Sequence, residues 1–285
     1  MRIDLHTHST ASDGSLPPAA LMRVAADAGL DVVALTDHDT TAGWSEAAAA
    51  LPAGLTLVPG AELSCRWHGP DGPPISLHLL AYLFDQDHPE LSAELARLRG
   101  SRLTRGERMV ERLRADGVDV TWDQVLGYAD GGSVGRPHIG QALIAAGLVD
   151  DMDAAFASEW LGRRYRVSKE DLDVFAAVRL VRAAGGVVVF AHPRAQKRGR
   201  IVTDGLIAEL ADAGLAGLEV DHADHDPEAR AHLRALAADL GLFTTGSSDF
   251  HGIHKTITIG DNATTTPDVY ERIVTAATGA KPVTA

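Results

Sequence analysis

The sequence predicts an α/β fold organised as a parallel sheet or barrel that carries an inserted helical segment, and three observations carry that prediction. Strand-length apolar runs alternate with helical patterns toward both ends of the chain, the pattern of successive βα units. The alternation breaks over roughly 94–169, where helical periodicity continues between glycine-containing turns without a convincing strand. The length of 285 residues suits one barrel-sized unit of about 250 residues with a smaller insertion.

Taken in order, an apolar run at 3–5 precedes a helical pattern at 19–28, and a run at 32–35 precedes one at 44–51. Further strand-like runs cover 55–58 and 75–84. Beyond the insertion, helical patterns at 172–184, 206–213, 229–240 and 269–277 alternate with strand-like runs at 187–191, 218–220 and 242–245, for about seven strands. The Thr-, Gly- and Ala-rich ending is expected to fray. The expected division is a barrel from 1–93 and 170–285 with a helical subdomain at 94–169.

Composition is that of a soluble globular chain, with 45% hydrophobic and 23% charged residues. Acidic side chains outnumber basic ones 39 to 26, a net charge of −13, which disfavours duplex DNA and anionic membranes as partners. The charge is divided unevenly: residues 96–169 hold 12 basic and 10 acidic side chains, so the remainder carries −15. Cys65 is the only cysteine; it reads as a small buried hydrophobe, and no intramolecular disulfide can form. No apolar run approaches the roughly 20 residues that span a bilayer, and the polar start lacks a signal-peptide core. A cytoplasmic location is therefore expected.

Thirteen histidines in an acidic background raise the question of a metal site. The first strand runs into Asp4-Leu5-His6-Thr7-His8, and in extended chain His6 and His8 point to the same side. Ligand-type residues recur where other apolar runs finish: Asp37 and His38, Glu62, His192, and Asp249 with His251. In a parallel barrel those strand ends open onto one face, so residues about 250 positions apart can share a site. Several such coincidences at one face favour a metal centre over isolated caps and surface histidines.

The set His6-Thr7-His8, Ser12-Asp13-Gly14, Thr36-Asp37-His38, Glu62, His78, Ala191-His192-Pro193 and Ser248-Asp249-Phe250-His251-Gly252 resembles the polymerase-and-histidinol-phosphatase (PHP) family of metal-dependent phosphoesterases across nearly the whole chain. The resemblance implies a distorted, TIM-like (β/α)7 barrel with two or three divalent ions, manganese, iron or zinc, manganese foremost for activity. It assigns His6, His8, Glu62 and Asp249 to one ion, Glu62, His78 and His192 to a second, and Asp13, His38 and His251 to a third. His192 and Asp249 thereby belong to the catalytic set. His78 sits inside an apolar run rather than after it, so a core histidine is its rival reading. Asp37 is expected to orient a ligand histidine by accepting its ring N–H.

Paired ions suit phosphoryl chemistry because they acidify a bridging water and neutralise charge on phosphate oxygens; in-line attack by a metal-bridging hydroxide would then require no Ser or Cys nucleophile. The insertion carries Gly135-Arg136-Pro137-His138 and Gly162-Arg163, and resembles the branch of the family that acts on nucleotides. Arginine forks match phosphate geometry, so Arg136, His138 and Arg163 are candidate substrate contacts, against the alternative of solvated helix-start residues. Arg194, which opens a basic cluster with Lys197, Arg198 and Arg200, is a weaker one. His225 is a candidate for protonating the leaving group. The expected substrate is a small phosphorylated nucleotide: a 5′-nucleotide such as AMP, a 3′,5′-bisphosphate, or the 5′ end of a short oligoribonucleotide. A histidinol phosphate phosphatase and a non-catalytic, metal-stabilised module are the alternatives; the insertion argues against the first and the complete ligand set against the second.

Overall fold

The protein is described as a computed structural model covering residues 1–70, 72–168 and 170–285. Strands β1 (Ile3–Thr7), β2 (Val32–Leu35) and β3 (Thr56–Trp67) are separated by helices α1 (Pro18–Asp27) and α2 (Trp44–Ala49), and β4 (Ile75–Tyr82) follows β3 directly. Four helices come next: α3 (Pro89–Ala115), α4 (Trp122–Ala129), α5 (Arg136–Ala145) and α6 (Met152–Ala155). The chain returns through β5 (Leu172–Asp173), α7 (Val174–Ala183), β6 (Val187–Ala191), α8 (Asp204–Ala213), β7 (Gly217–Asp221), α9 (Pro227–Asp239), β8 (Phe243–Gly246), α10 (Pro267–Ala276) and β9 (Val283–Thr284).

Seven strands form one curved path in the order β1-β2-β3-β4-β6-β7-β8. A bridge between Thr7 and Phe250 brings the chain leaving β8 back to β1 and nearly closes the barrel. Alternation sorts the side chains: Val33, Leu35, Leu57 and Leu63 pack with the surrounding helices, while Val32, Ala34, Val58 and Val189 gather in a second cluster with Tyr82 and with Ile273 of α10. Cys65 is buried, as a small hydrophobe should be.

Three features depart from a uniform parallel reading. The third strand does not stop at Val58 but runs to Trp67, because β4 folds back on it from Gly60–Tyr82 to Trp67–Ile75. Strand β4 is antiparallel to both neighbours, so its early residues lie beside the late residues of β3 and β6: His78 faces Ser64 on one side and Ala191 on the other. That is why a residue inside the apolar run reaches the same end of the barrel as residues that follow other strands. The ending does not fray: β9 pairs with Thr56 and Leu57, and Ala280 donates to the Leu83 carbonyl.

The 27-residue helix α3 joins two cores. Leu91, Leu95 and Leu98, at helical spacing, pack into the main core, while Met109, Val110 and Leu113 pack into a separate cluster with Val125, Ile139 and Leu143. At 1.5 Å per residue the helix is about 40 Å long, and its middle turns carry Arg99, Arg102 and Arg105 past the open end of the barrel. Helix α4 starts on a reciprocal capping box between Thr121 and Gln124, which satisfies two otherwise unpaired backbone donors. Lys169, at the expected edge of the insertion, lies outside the described residues.

Candidate metal centre

The register of β1 against β2 slips between the pairs Asp4–Val33 and Thr7–Leu35, leaving one extra residue on β1. Such a bulge re-aims the side chains that follow it, and here His6 and His8 enter one buried cluster. His6 Nε2 and His8 Nε2 lie 3.1 Å apart. Each is 3.2 Å from Glu62 Oε2 and 3.3 Å from Asp249 Oδ1. The four donor atoms lie within 4.8 Å of one another, close enough for one divalent ion to bond all four. Glu62 Oε2, His8 Nδ1 and His38 Nδ1 are buried without a hydrogen-bond partner, as expected of atoms placed for an ion rather than for one another.

The other oxygen of Glu62 makes a second group, with His78 Nδ1 at 2.7 Å and His192 Nε2 at 3.0 Å. In a third, Asp13 Oδ1 lies 3.5 Å from His251 Nε2 and 3.8 Å from His8 Nδ1, and Asp13 Oδ2 lies 3.8 Å from His38 Nε2. His38 also points its Nδ1 at Glu62 Oε2, the oxygen of the first group, 3.3 Å away, and so joins the first and third groups. All nine residues expected to ligate metal are thus brought together, eight of them buried and His78 partly so. Gly14 keeps Asp13 close, since a Cβ there would collide with the His8 carbonyl. Asp39, His192 and Asp249 have φ of 57°, 34° and 55°, a left-handed region that non-glycine residues occupy only when their surroundings hold them there.

Polar partners hold these turns. Asp37 does not meet a ligand ring: it accepts from Ser9 N–H and from the hydroxyls of Ser9 and Ser12 at 2.6–2.8 Å, fixing the turn that carries Asp13. The orienting carboxylate is Glu219 of β7, 2.9 Å from His6 Nδ1. An acidic residue inside a buried apolar strand was the available signal for it. Asp39 accepts from Ser64 N–H at 2.7 Å and from Arg102 Nε at 2.6 Å, tying the turn after His38 to α3.

Charge in the cluster follows from this packing. Burial opposes ionisation of Glu62 and Asp13, but the imidazoles around them hold both carboxyls well below the usual range. Burial also pulls His8 down, yet the Asp249 and Glu62 carboxylates beside it push it up to about 9. A metal entering at neutral pH must displace that proton, so apparent affinity should rise with pH by about tenfold per unit per proton released. Calorimetric titration with manganese at pH 7 in two buffers of different ionisation enthalpy is expected to show proton release; equal heats in both would contradict it. For the metal-free fold the sign is opposite. A histidine raised above its ordinary 6.5 stabilises the fold below that pH, and the contribution is lost as pH rises through about 9.

Beside the cluster opens a cavity of about 750 Å³ with two unlike walls. Asp13, His38, His78, His192 and His251 line one, and Arg102, Arg105, Arg136, Arg163 and Arg166 line the other. Arg105 was not expected from the sequence. It is 7% exposed with an Nε that has no hydrogen-bond partner, and burial beside Arg102 and Arg136 lowers its pKa to about 9. Arg136 lies over the Phe156 ring and is lowered to about 10 by burial and by Arg166 and Arg102. Lys255, also unexpected, lines the cavity with its ammonium 2.6 Å from Asp249 Oδ2.

Three expected contacts lie apart from the cavity lining. His225, expected to protonate the leaving group, has both ring nitrogens engaged: Nδ1 donates to the Val220 carbonyl at 2.8 Å and Nε2 accepts the Arg194 N–H at 3.1 Å, so it braces the turn after His192. Arg194 binds Asp204 and the Val202 carbonyl and is absent from the cavity lining. His138 accepts the Gly135 N–H at 3.0 Å, capping α5, and does not line the cavity either. The Arg198 side chain lies outside the described residues.

Among the described residues no helix is long and apolar enough to cross a membrane. The sequence profile of the PHP domain matches residues 4–98. The chain is 34% identical over 265 residues to a 5′-3′ exoribonuclease of Haemophilus influenzae, covering 92% of this chain and 94% of that one. It is 35% identical over 253 residues to a 3′,5′-nucleoside bisphosphate phosphatase of Chromobacterium violaceum, covering 87% of each. A crystal structure of a candidate metal-dependent phosphoesterase from Bifidobacterium adolescentis superposes with a TM-score of 0.88 at 37% identity, over 97% of this chain and 96% of that one.

Proposed function

This chain belongs to the PHP domain family, and from that premise we propose that it hydrolyses phosphate monoesters of small nucleotides. The substrates are 5′-nucleotides, 3′,5′-bisphosphates or the 5′ ends of short oligoribonucleotides; one relative is named a 3′,5′-nucleoside bisphosphate phosphatase and another a 5′-3′ exoribonuclease. The observation that carries this reading is the pairing, in one cavity, of a histidine–carboxylate wall with an arginine wall. A monoester needs only the first; a second phosphate on the same molecule gives the arginines a partner. The helical cluster built on the second half of α3 is then a substrate-binding unit set over the barrel.

His6, His8, Glu62 and Asp249 would hold one divalent ion, Glu62, His78 and His192 a second, and Asp13, His38 and His251 a third, with manganese the first ion to test. Such ions lower the pKa of a water and neutralise charge building on phosphate oxygens. The chain's own residues do the positioning. Glu62 holds two groups of imidazoles at a fixed spacing through its two oxygens. His222, whose Nδ1 accepts the Asp224 N–H, donates from Nε2 to Asp249 Oδ2 at 3.2 Å, leaving Oδ1 turned to His6 and His8. The arginine wall orients the remainder of the substrate so that the scissile phosphate meets the water in line.

The test is phosphate release by the manganese-loaded protein from AMP, 3′,5′-bisphosphates, 5′-phosphorylated short RNA and histidinol phosphate. Release from nucleotides is expected; release from histidinol phosphate alone would overturn the nucleotide assignment. Arg105→Ala and Arg136→Ala should each raise KM for a bisphosphate by about 10- to 100-fold, since a charge-assisted hydrogen bond contributes roughly 1.5–3 kcal/mol. KM for p-nitrophenyl phosphate, which has no second phosphate, should stay unchanged. An unaltered bisphosphate KM in both variants would contradict the role given to this wall.

A further inference from the structure

Glu219 is fully buried in β7 and is absent from the cavity lining, yet it touches a member of each of the two groups that share Glu62. Its Oε1 lies 2.9 Å from His6 Nδ1, and its Oε2 accepts the backbone N–H of His192 at 2.8 Å. Between Glu219 and Asp221, β7 carries one residue more than β8, a second bulge in the strand that delivers this carboxylate. The two histidine rings stack, 5.9 Å apart and inclined by 21°.

The contacts do different things. Accepting from His6 Nδ1–H leaves the proton off Nε2, the atom 3.2 Å from Glu62 Oε2. Holding the His192 N–H fixes a residue at φ 34°, a backbone state that needs support, and thereby aims its Nε2 at Glu62 Oε1, 3.0 Å away. We propose that Glu219 is a positioning residue that couples the first and second metal positions, setting the tautomer of one ligand and the backbone of another with a single carboxylate. This inference rests on the metal-centre reading above.

Both contacts require an acceptor, and this makes Glu219→Gln a discriminating change. The amide has the same size but one acceptor and one donor. If its NH₂ faces His6, the ring proton moves to Nε2; if it faces His192, two N–H groups oppose each other. A carboxylate that merely fills the core would tolerate the substitution.

The experiment is manganese titration of metal-free wild type and Glu219→Gln by calorimetry, with metal content by mass spectrometry and circular dichroism of both metal-free proteins. Wild type is expected to bind two or more ions, which tests the metal reading by itself. The variant should keep the wild-type spectrum and lose about 10- to 100-fold in affinity at two positions, the usual effect of removing the partner of a metal-bound histidine. Unchanged affinity, or a loss confined to one position, would overturn the coupling while leaving the metal reading intact. Should the variant fail to fold, long-range ¹H–¹⁵N spectra of zinc-loaded wild type decide: a His6 proton on Nδ1 supports the assignment, and one on Nε2 overturns it.

Discussion

Glu62→Gln is expected to lower kcat/KM for phosphate release by at least about 10³-fold, roughly 4 kcal/mol of transition-state stabilisation. Five imidazoles meet its two oxygens. Oε2 lies 3.2–3.3 Å from ring nitrogens of His6, His8 and His38, and Oε1 lies 2.7 and 3.0 Å from those of His78 and His192. An amide keeps the shape but replaces one of those acceptors by a donor and removes the negative charge that holds five imidazoles together. Metal content should fall with activity, and mass spectrometry on the purified variant reads both losses as one event. Wild-type metal content with activity within tenfold of wild type would show that Glu62 does not bridge.

Arg102→Met should have the largest effect on stability. The Arg102 guanidinium is 10% exposed and pairs with Asp39, whose side chain is 0% exposed, and it also donates to Ser64 Oγ at 2.7 Å. Removing one partner of a buried pair leaves the other charge uncompensated, at a cost of about 3–5 kcal/mol, which for a chain of this size lowers Tm by roughly 10 °C. Burial alone would raise the Asp39 carboxyl, but Arg102 holds it below its ordinary 3.8. The contribution is therefore present above pH 3.8 and lost as pH falls through the lowered value. Thermal melts at pH 7 check the prediction, and a shift of under 2 °C would contradict it. Because the pair anchors the turn after His38, the variant should also bind manganese more weakly.

What the sequence made legible was local. His6 and His8 share a side because of strand alternation, and Asp37–His38, His192 and Asp249–His251 follow apolar runs, so their meeting needed only a barrel whose ends coincide. His78 looked misplaced because the reversal of β4 depends on pairing with β3 and β6, which no run of residues displays. Glu62 likewise sits within β3, not after it. The partners of polar side chains were least legible. Asp37 serves serines and Glu219 serves the ligand histidine, though either carboxylate suits the role chemically. His225, Arg194 and His138 have functional residue types in functional neighbourhoods, but each ties backbone instead. Arg105 showed no signal, because it faces the cavity only through the path that α3 takes between the two cores.

The central claim is that nine side chains at the open end of the barrel form a metal centre around Glu62. It is tested most directly by diffraction at the manganese absorption edge from crystals of the manganese-loaded protein. Two or three anomalous peaks are expected within bonding distance of Glu62, Asp249 and Asp13, the first flanked by His6 and His8. A fully loaded crystal with no peak among these residues, or with manganese bound only elsewhere on the chain, would contradict the account.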